Sequence, residues 1–334
     1  MAAKKKRAGA VRRGPGSNSA RKRKVGGPKK APGGRKAHGR KVGKRPAGTG
    51  KPRAAGASAT GPKPEAGVSE GLWGKVLEKA SRDEVGSDQG LVRLNAYLAR
   101  CGVASRRKSD ELIASGRIVV DGKVVRELGH KIDPLRDVVK VDGETLKPEP
   151  PTYVLLHKPK NVVCTNSIHE QKLRAIDLLT GVKGRLFTVG RLDADSEGLL
   201  ILTNDGAFAD RMTHPRYEVA KTYHVVVRGR IEKDKLDKVR GGVWLSEGRV
   251  EGFQIRIKKR GQERSILEVT IREGRNREIR RVFARVGHPV LRLSRVKMGN
   301  LTLRGVGSGK WRFLRPPEVA DLLKGSHDAE AATN

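Results

Sequence analysis

The sequence predicts an α+β protein, in which a mostly antiparallel sheet with flanking helices follows a small αα-β domain and a disordered basic tail. Three observations predict this class. After residue 151, short apolar segments with strand character outnumber helical ones, and several lie close enough in sequence to pair as hairpins. Two short helical patterns and two Asp-Gly turns precede them. The first 70 residues contain no Ile, Leu, Phe, Trp or Tyr.

The N-terminal segment is dominated by charge. The 334 residues include 72 Lys and Arg against 36 Asp and Glu, a net charge of +36, and residues 1–70 hold 21 of the basic residues and 2 of the acids. With 14 Gly and 7 Pro and almost no large apolar side chain, this segment cannot bury a core, so residues 1–70 are expected to be disordered and residues 71–90 to form a linker. Such a tail attracts a polyanion through counterion release, and nucleic acid is the favoured partner.

Residues 91–150 read as a small domain. "RLNAYLARCG" and "SRRKSDELIASG" predict two helices, with Ser105 as N-cap of the second. "RIVVDGKVV" and "DVVKVDGETL" each predict a strand, an Asp-Gly turn and a second strand. Five cations surround the helices: Arg100, Arg106, Arg107, Lys108 and Arg117. Their density favours RNA binding over an ordinary solvated face.

A second domain is expected over residues 151–324, followed by a flexible C-terminus at 325–334. Its predicted strands are "TYVLLHKP", "FTVG", "GLLILTND", "TYHVVVRG", "SILEVTI", "HPVLRLSRVKMG" and "WRFL". Its predicted helices are "AFADRMTH", "EKDKLDKVRGG", "NREIRRVFARVG" and "PEVADLLK".

The stretch "GRLDADSEGLLILTNDG" places three acids between an arginine and a strand. A calcium loop starting at Asp193 would need a bidentate glutamate at its twelfth position, where Asn204 stands, so calcium is disfavoured. A plain turn explains Asp195, Ser196 and Gly198. A chemical role for Asp193 remains the alternative, because Arg191 nearby could hold its carboxylate ionised.

Three ordered segments resemble the pseudouridine synthases of the branch that acts on ribosomal RNA, the RsuA/RluB family, and are most similar to its large-subunit members. They are "GRLDADSEGLLILTNDGAFADRMTHP", "VAKTYHVVV" and "TIREGRNREIRRVFARVGHPVLRLSRVKMG". The preceding "RLNAYLARCGVASRRKSDELIASGRIVVDGKVV" resembles the RNA-binding module of S-four type. Together the resemblances cover residues 91–315, but not the basic tail.

The resemblance implies isomerisation of a specific uridine to pseudouridine in RNA. It assigns Asp193 as the catalytic carboxylate, which could attack the ribose, remove a sugar proton or stabilise positive charge. It assigns Tyr223 to stacking on the target base and Arg280 to pairing with Asp193. From the residues alone, Tyr223 reads as strand core and Arg280 as an exposed helix charge.

Further RNA contacts are expected from Arg191, Arg275 and Arg277, in addition to Arg106, Arg107, Lys108 and Arg117. Other branches of the family carry histidine where Arg277 stands, which leaves its role open. Cys101 and Cys164 lie in separate predicted domains and the histidines do not repeat at ligand spacing, so no metal site is expected. The isomerisation needs no cofactor. The protein is expected to be a cytoplasmic monomer that acts on ribosomal RNA or a ribosomal subunit precursor. It is not expected to bind a membrane.

Two functions of other classes also fit parts of the sequence. A non-catalytic ribosome-assembly factor or RNA chaperone would use the same basic surfaces, although the presence of Asp193 argues against it. A histone-like DNA compactor would explain the tail, but would leave the three ordered segments without a role.

Overall fold

The computed structural model describes residues 90–331, and side chains through residue 325. The basic tail at 1–70 and the linker up to residue 89 therefore lie outside the described residues.

The N-terminal domain has the predicted αα-β arrangement. Its helices are α1 (Leu94–Arg100) and α2 (Arg106–Ala114), and its strands are β1 (Val92–Arg93), β2 (Ile118–Val120), β3 (Lys123–Val125), β4 (Lys131–Ile132), β5 (Val139–Val141) and β6 (Glu144–Thr145). The sheet order is β3-β2-β5-β6, with β1 paired to β4. Leu94, Leu98 and Ile113 of the helices are buried against Ile118 and Ile132 of the strands.

Local signals fix the ends of these elements. The Ser105 hydroxyl accepts a hydrogen bond from the backbone N–H of Lys108 at 3.3 Å and so caps α2 as predicted. At the turn between β2 and β3, Asp121 and Gly122 have φ of 48° and 79°. Both central residues of a type I′ turn need positive φ, which is why Asp-Gly marks this hairpin.

The larger domain is built on a nine-stranded sheet. The strands from here on are β7 (Tyr153–Lys158), β8 (Phe187–Val189), β9 (Glu197–Thr203), β10 (Lys221–Arg228), β11 (Val243–Leu245), β12 (Gly248–Val250), β13 (Gln254–Arg260), β14 (Arg264–Ile271), β15 (Val290–Met298), β16 (Leu301–Thr302) and β17 (Trp311–Phe313). The main path is β13-β14-β10-β15-β9-β7-β17, with β8 on β9 and β16 on β15. Its pairs are antiparallel except β9 with β15, which confirms the mostly antiparallel sheet.

Helices cover both faces of this sheet. They are α3 (Gly206–Thr213), α4 (Lys233–Arg240), α5 (Glu278–Arg285) and α6 (Pro316–Ala331), and one-turn 3₁₀ helices span Ala175–Leu178 and Pro215–Tyr217. In β9, Leu200 and Leu202 pack in one core with α4 and α5. Leu199 and Ile201 pack in the other core with α3 and α6. A strand buried on both faces has no polar alternation, which explains the continuous apolar run "LLILT".

Three features differ from the sequence expectation. The edge strand β13 was missed because "QIRIKKR" is mostly charged and exposed, so its sequence lacks a strand-like apolar pattern. The β11–β12 hairpin was missed because each strand has only three residues. Helix α6 runs to Ala331, seven residues past the expected boundary at 324, because the helix-favouring "HDAEAA" follows Gly325 without a proline.

A side-chain hydrogen bond joins the two domains directly. Arg185 donates its guanidinium to the carbonyl of Ala104 at 2.7 Å, while Glu149 at the end of the first domain donates its backbone N–H to the carbonyl of Arg100 at 3.2 Å. The α1–α2 connection is therefore fastened to the larger domain. Among the described residues, no helix is both long and apolar enough to cross a membrane.

The parallel pairing of β9 with β15 depends on Gly198. This residue has a φ of +113°, and a Cβ there would lie 2.2 Å from the carbonyl oxygen of Arg295. Gly198 is opposite Arg295 in the register, so the two backbones approach more closely than a side chain allows.

Gly198→Ala is therefore expected to destabilise the protein by about 3 kcal/mol, through backbone strain and lost pairing. Differential scanning calorimetry should show a melting temperature lower by roughly 5–10 °C. The matched control is Gly206→Ala at the start of α3, where an added Cβ meets no heavy atom within 4 Å. Equal melting temperatures for the two variants would contradict this account.

Candidate active site

A cleft of about 500 Å³ opens beside the paired segments of β9 and β15. Its walls come from the segment after β8, the start of β10, the segment before α5 and the middle of β15. The residues that matter below are Arg191, Asp193, Ser196, Lys221, Tyr223, Arg275, Arg277, Glu278, Ile279 and Arg295.

Asp193 lies in a turn whose backbone is fixed by hydrogen bonds. The backbone N–H of Ser196 donates to the Asp193 carbonyl at 3.1 Å and closes the turn. The backbone N–H of Asn161 donates to the Ala194 carbonyl at 2.7 Å. The ammonium of Lys158 donates to the Ser196 carbonyl at 2.7 Å. The turn expected from sequence is thus present, and its backbone is fixed by groups from the end of β7.

Lys158 is fully buried, although it carries an ammonium group. Burial lowers its pKa, while Cys164 and the acids of the neighbouring turn oppose that effect. Its Nζ also donates to the Pro159 carbonyl at 2.9 Å. Its two hydrogen bonds to backbone carbonyls compensate for the burial of the charge. The bond to Ser196 also fixes the backbone of the turn.

Two arginines from the start of α5 face the Asp193 carboxylate. Arg277 Nη1 lies 3.3 Å from Asp193 Oδ2, and Arg280 Nε lies 3.8 Å from the same oxygen. Arg280 also reaches Asp195 Oδ2 at 3.2 Å and donates to Ser196 Oγ at 3.2 Å. The Arg280 side chain is 12 % exposed and that of Arg277 is 44 % exposed. Arg280 is therefore the fixed partner and Arg277 the more accessible one.

The backbone at Arg277 is unusual. Its φ of 47° and ψ of 30° put a non-glycine residue in the left-handed region at the N-cap of α5. This conformation costs about 1–2 kcal/mol for an L residue. It allows the guanidinium to reach both Asp193 and Asp195, so the local strain positions a cation at the turn.

The floor of the cleft is formed by β10 and β15. Tyr223 is 7 % exposed and lies directly opposite Arg295 in the antiparallel register. Lys221 precedes Tyr223 by two residues, so both side chains project from the same face of β10. Ile279 of α5 is buried beside them.

Arg295 has an incompletely satisfied guanidinium. Its Nε donates to the Leu199 carbonyl at 2.8 Å, and the residue is only 2 % exposed. Its buried Nη2 has no hydrogen-bond partner among the described residues. A buried donor without an acceptor costs about 1–3 kcal/mol. Because this residue lines the cleft, a ligand oxygen there could satisfy the donor.

Lys221 is a second buried cation on this floor, at 7 % exposure. Its Nζ donates to the carbonyls of Val219 at 3.1 Å and Arg272 at 3.3 Å. Burial, assisted by the charge of Arg295, lowers its pKa to about 8 against the opposing effect of Glu278. Burial in turn raises the pKa of Glu278, whose carboxylate accepts the backbone N–H of Arg275 at 3.0 Å.

The structure brings Asp193 and Tyr223 to one cleft, and Arg280 lies 3.8 Å from the Asp193 carboxylate without lining the cleft itself. Arg191 lies exposed at its rim. Arg277, expected from sequence to contact phosphate, lies nearer Asp193 than Arg280 does. Arg275 bonds Glu273 at 3.0 Å and the Arg249 carbonyl at 3.2 Å.

Lys158, Lys221 and Arg295 were missed from sequence. Strand alternation gave a usable signal for Lys221, since it shares the face of Tyr223. Lys158 and Arg295 carried no such signal, because their burial depends on which strands become neighbours.

The acids of the turn are directed at arginines. Asp193 and Asp195 face Arg277 and Arg280, and Glu197 bonds Arg292 at 2.5 Å. Within residues 90–325, no group of three or more His, Cys, Asp or Glu side chains could hold a metal ion.

Three consecutive exposed cations of the N-terminal domain occupy the first turn of α2. Arg106, Arg107 and Lys108 all lie there and are exposed. Cations at a helix N-terminus oppose the helix dipole, so they do not serve the stability of α2. Arg117 differs, because its Nε donates to Asp142 Oδ1 at 2.9 Å.

Comparison with known proteins places this geometry in a family. Residues 152–285 match the RNA pseudouridylate synthase family, and residues 92–139 match the S4 domain. An uncharacterised RNA pseudouridine synthase from Aquifex aeolicus is 41 % identical over 70 % of this chain and 94 % of its own. The chain belongs to the RNA pseudouridine synthase family.

Two further relatives agree with this assignment. Ribosomal large subunit pseudouridine synthase B from Bacillus subtilis is 41 % identical over 69 % of this chain and 95 % of its own. A crystal structure of a pseudouridylate synthase matches with a TM-score of 0.51 and 26 % identity, over 69 % of this chain and 99 % of that chain. The domain order predicted from sequence, an S4-type module before a pseudouridine synthase fold, is confirmed.

The depressed pKa of Lys221 predicts a pH dependence of stability. Between about pH 8 and 10.5 the unfolded synthase keeps a proton on Lys221 that the folded protein has released. The free energy of unfolding should therefore rise with pH across this window, by about 3 kcal/mol in total, and that gain is lost as the pH falls through 8.

Urea unfolding at pH 7, 8, 9 and 10 measures this rise as the difference between the wild type and Lys221→Met, which lacks the group. Lys238→Met, at an exposed position of α4, controls for the loss of one lysine. Wild type and Lys221→Met with the same pH slope would show that Lys221 does not titrate in this window.

Proposed function

We propose that this synthase converts one specific uridine of large-subunit ribosomal RNA to pseudouridine, with Asp193 as the reacting carboxylate. One observation carries the role of Asp193. Its carboxylate lies in a cleft that Tyr223 also lines, and Arg277 and Arg280 hold it in place. The RNA follows from the similarity to the Bacillus subtilis enzyme, whose name specifies the ribosomal large subunit.

The cleft has the size and composition for one extruded nucleotide. A base inside an RNA helix cannot reach Asp193, so the uridine must leave its stack. Tyr223 offers an aromatic surface, and Arg191 lies at the rim, where it can contact the backbone of the displaced nucleotide. Ile279 supplies an apolar contact below the base.

The reaction rearranges bonds within one nucleotide. The N1–C1′ bond breaks and its electron pair stays with uracil. The ring then turns, C5 bonds to C1′, and the C5 proton is released while N1 gains a proton. Asp193 acts at the ribose, as nucleophile, as base toward a sugar proton or as the counter-charge for a cationic sugar. The formula is unchanged, so no redox or group-transfer cofactor takes part.

Arg295 and Lys221 suit the detached uracil. The base carries extra electron density on its ring and carbonyl oxygens while it is free of the sugar. The unpaired Nη2 of Arg295 and the ammonium of Lys221 stand on the cleft floor, where they can stabilise that density. These two cations would hold the base during its rotation.

Asp193→Asn should abolish isomerisation while RNA binding persists. The amide keeps the shape of the side chain but cannot act as a nucleophile or base. The measurement is tritium release from ribosomal RNA labelled at C5 of uridine, followed by pseudouridine mapping. We expect a loss of at least about 10³-fold, since one essential group is removed.

Asp195→Asn is the matched control, because Asp195 sits in the same turn and contacts the same arginines but is 51 % exposed. It should keep turnover within about tenfold of wild type, in line with the small effect of exposed ion pairs. Tritium release by Asp193→Asn at the wild-type rate would remove Asp193 from the mechanism. No release by the wild type itself would favour an RNA chaperone.

The S4 domain would supply affinity through phosphate contacts from Arg106, Arg107 and Lys108. The basic tail, residues 1–70, would add affinity without sequence preference. Together they favour ribosomal RNA or a subunit precursor as substrate and the cytoplasm as the place of action. The synthase is proposed to act as a monomer, a form in which the proposed site is already complete.

Replacing Arg106, Arg107 and Lys108 together by Gln should raise the Kd for a large-subunit RNA fragment and flatten its salt dependence. Three lost phosphate contacts lower the slope of log Kd against log salt by about 2. The rate at saturating RNA should not change, since the cleft is untouched. Filter binding from 50 to 300 mM KCl and single-turnover kinetics measure the two quantities.

Arg117→Gln is the comparison variant, because Arg117 is already paired with Asp142. Arg117→Gln should lower the slope of log Kd against log salt by less than half of the average change per residue in the triple variant. A triple variant with an unchanged slope would show that this turn of α2 does not touch phosphate.

A further inference from the structure

The β11–β12 hairpin carries an exposed tryptophan. Trp244 is 69 % exposed, more than any other Phe, Trp or Tyr side chain within residues 90–325. Its strand neighbour Val243 and the cross-strand partner Val250 are buried. The hairpin therefore packs through one face and presents the indole on the other.

Trp244 contributes little to the fold in this position. Burying a large apolar side chain is worth about 1.5–3 kcal/mol, most of which an indole at this exposure forgoes. Its cross-strand neighbour Arg249 does not cover it closely, because the Arg249 guanidinium turns toward the Gly241 carbonyl and the Gly242 backbone. The indole surface is thus available to a ligand.

The hairpin is fixed to the wall of the cleft. Arg281 of α5 makes two hydrogen bonds to the Glu247 carboxylate, at 2.6 and 2.7 Å. These bonds hold the pKa of Glu247 down at about 2. Arg275, which lines the cleft, donates to the Arg249 carbonyl at 3.2 Å. The Arg275 side chain therefore links the cleft to Arg249, the residue opposite Trp244.

The cations around this hairpin are paired with acids: Arg249 lies 3.5 Å from Glu251, and Arg275 lies 3.0 Å from Glu273. Arg249 and Arg275 lie between Trp244 and the cleft, and Arg277 follows at the turn of Asp193. An RNA strand that runs from the cleft to the exposed indole therefore passes these three guanidinium groups. An aromatic surface beside such cations is the arrangement by which proteins hold unpaired nucleotides.

We propose that Trp244 is a stacking platform for an unpaired base of the RNA, next to the nucleotide that enters the cleft. The inference rests on the proposed function in one respect, namely that RNA occupies the cleft. The platform would hold the strand open beside the extruded uridine. Its ligand is a nucleobase, recognised by its flat face and not by its hydrogen-bonding edge.

The test uses the full chain and two 12-nucleotide probes, oligouridylate and an abasic ribose-phosphate oligomer of the same length. Trp244→Ala should weaken oligouridylate binding about 5- to 100-fold, the range for loss of one stacked base. It should leave the Kd for the abasic oligomer unchanged, because phosphate contacts remain. Trp244→Phe should recover most of the lost affinity.

The matched control is Ile168→Ala, which removes an exposed apolar side chain (83 % exposed) from a loop of the same domain. It should bind both probes as the wild type does. Equal losses of Trp244→Ala on both probes would overturn stacking, as would no loss on either. Loss of self-association by Trp244→Ala in sedimentation, with RNA binding intact, would reassign the surface to a second copy of the chain.

Failure of this proposal is separable from failure of the proposed function. Stacking is measured by binding, and it can be repeated in the Asp193→Asn background, where no turnover is expected. Tritium release by the wild type together with full binding by Trp244→Ala overturns the platform alone. Stacking without tritium release overturns the isomerase alone.

Discussion

The close approach of β9 and β15 at Gly198 is the constraint on which the site depends. It is the one parallel contact in an otherwise antiparallel main sheet, and it brings residues almost a hundred positions apart into register. The Asp193 turn leads directly into β9, while Arg295 lies on β15 opposite both Gly198 and Tyr223. A side chain at residue 198 would push the carboxylate away from the floor of the cleft. Backbone packing, and not any direct bond between the side chains, therefore places the acid beside the tyrosine.

The charges around the cleft are arranged in two groups with different consequences. Asp193 and Asp195 are balanced by Arg277 and Arg280, and the turn backbone is clamped by Lys158. Lys221 and Arg295 on the floor have no carboxylate within ion-pair distance among the described residues. The first group pairs its charges within the protein, so it fixes geometry, although the buried Nε of Arg280 has no hydrogen-bond partner among the described residues. The second group is left with positive charge in a buried place, where it attracts electron-rich groups that enter from outside.

Much of the fold could be predicted because it follows from local rules. Asp-Gly turns, the Ser105 cap and apolar runs such as "LLILT" each specify their element without knowledge of distant residues. The edge strand β13 could not be predicted, because its four cations hide the strand pattern and its pairing with β14 supplies the missing stability. At the site, Asp193 and Tyr223 were predicted through resemblance and not through periodicity. Arg295 could not be found in either way, since only the register of β15 against β10 and β9 shows that it is buried in the cleft.

The cost of this arrangement indicates what the cleft is built to receive. Arg277 in the left-handed region, the orphaned Nη2 of Arg295 and the buried ammonium of Lys221 each lower the stability of the free protein. None of them strengthens a core. A ligand with carbonyl oxygens or phosphates would supply an acceptor for the Arg295 donor and a negative charge beside Lys221, so part of that cost would be recovered on binding. A neutral apolar ligand of equal volume would leave the Arg295 donor without an acceptor, so the floor favours ligands that carry oxygen acceptors.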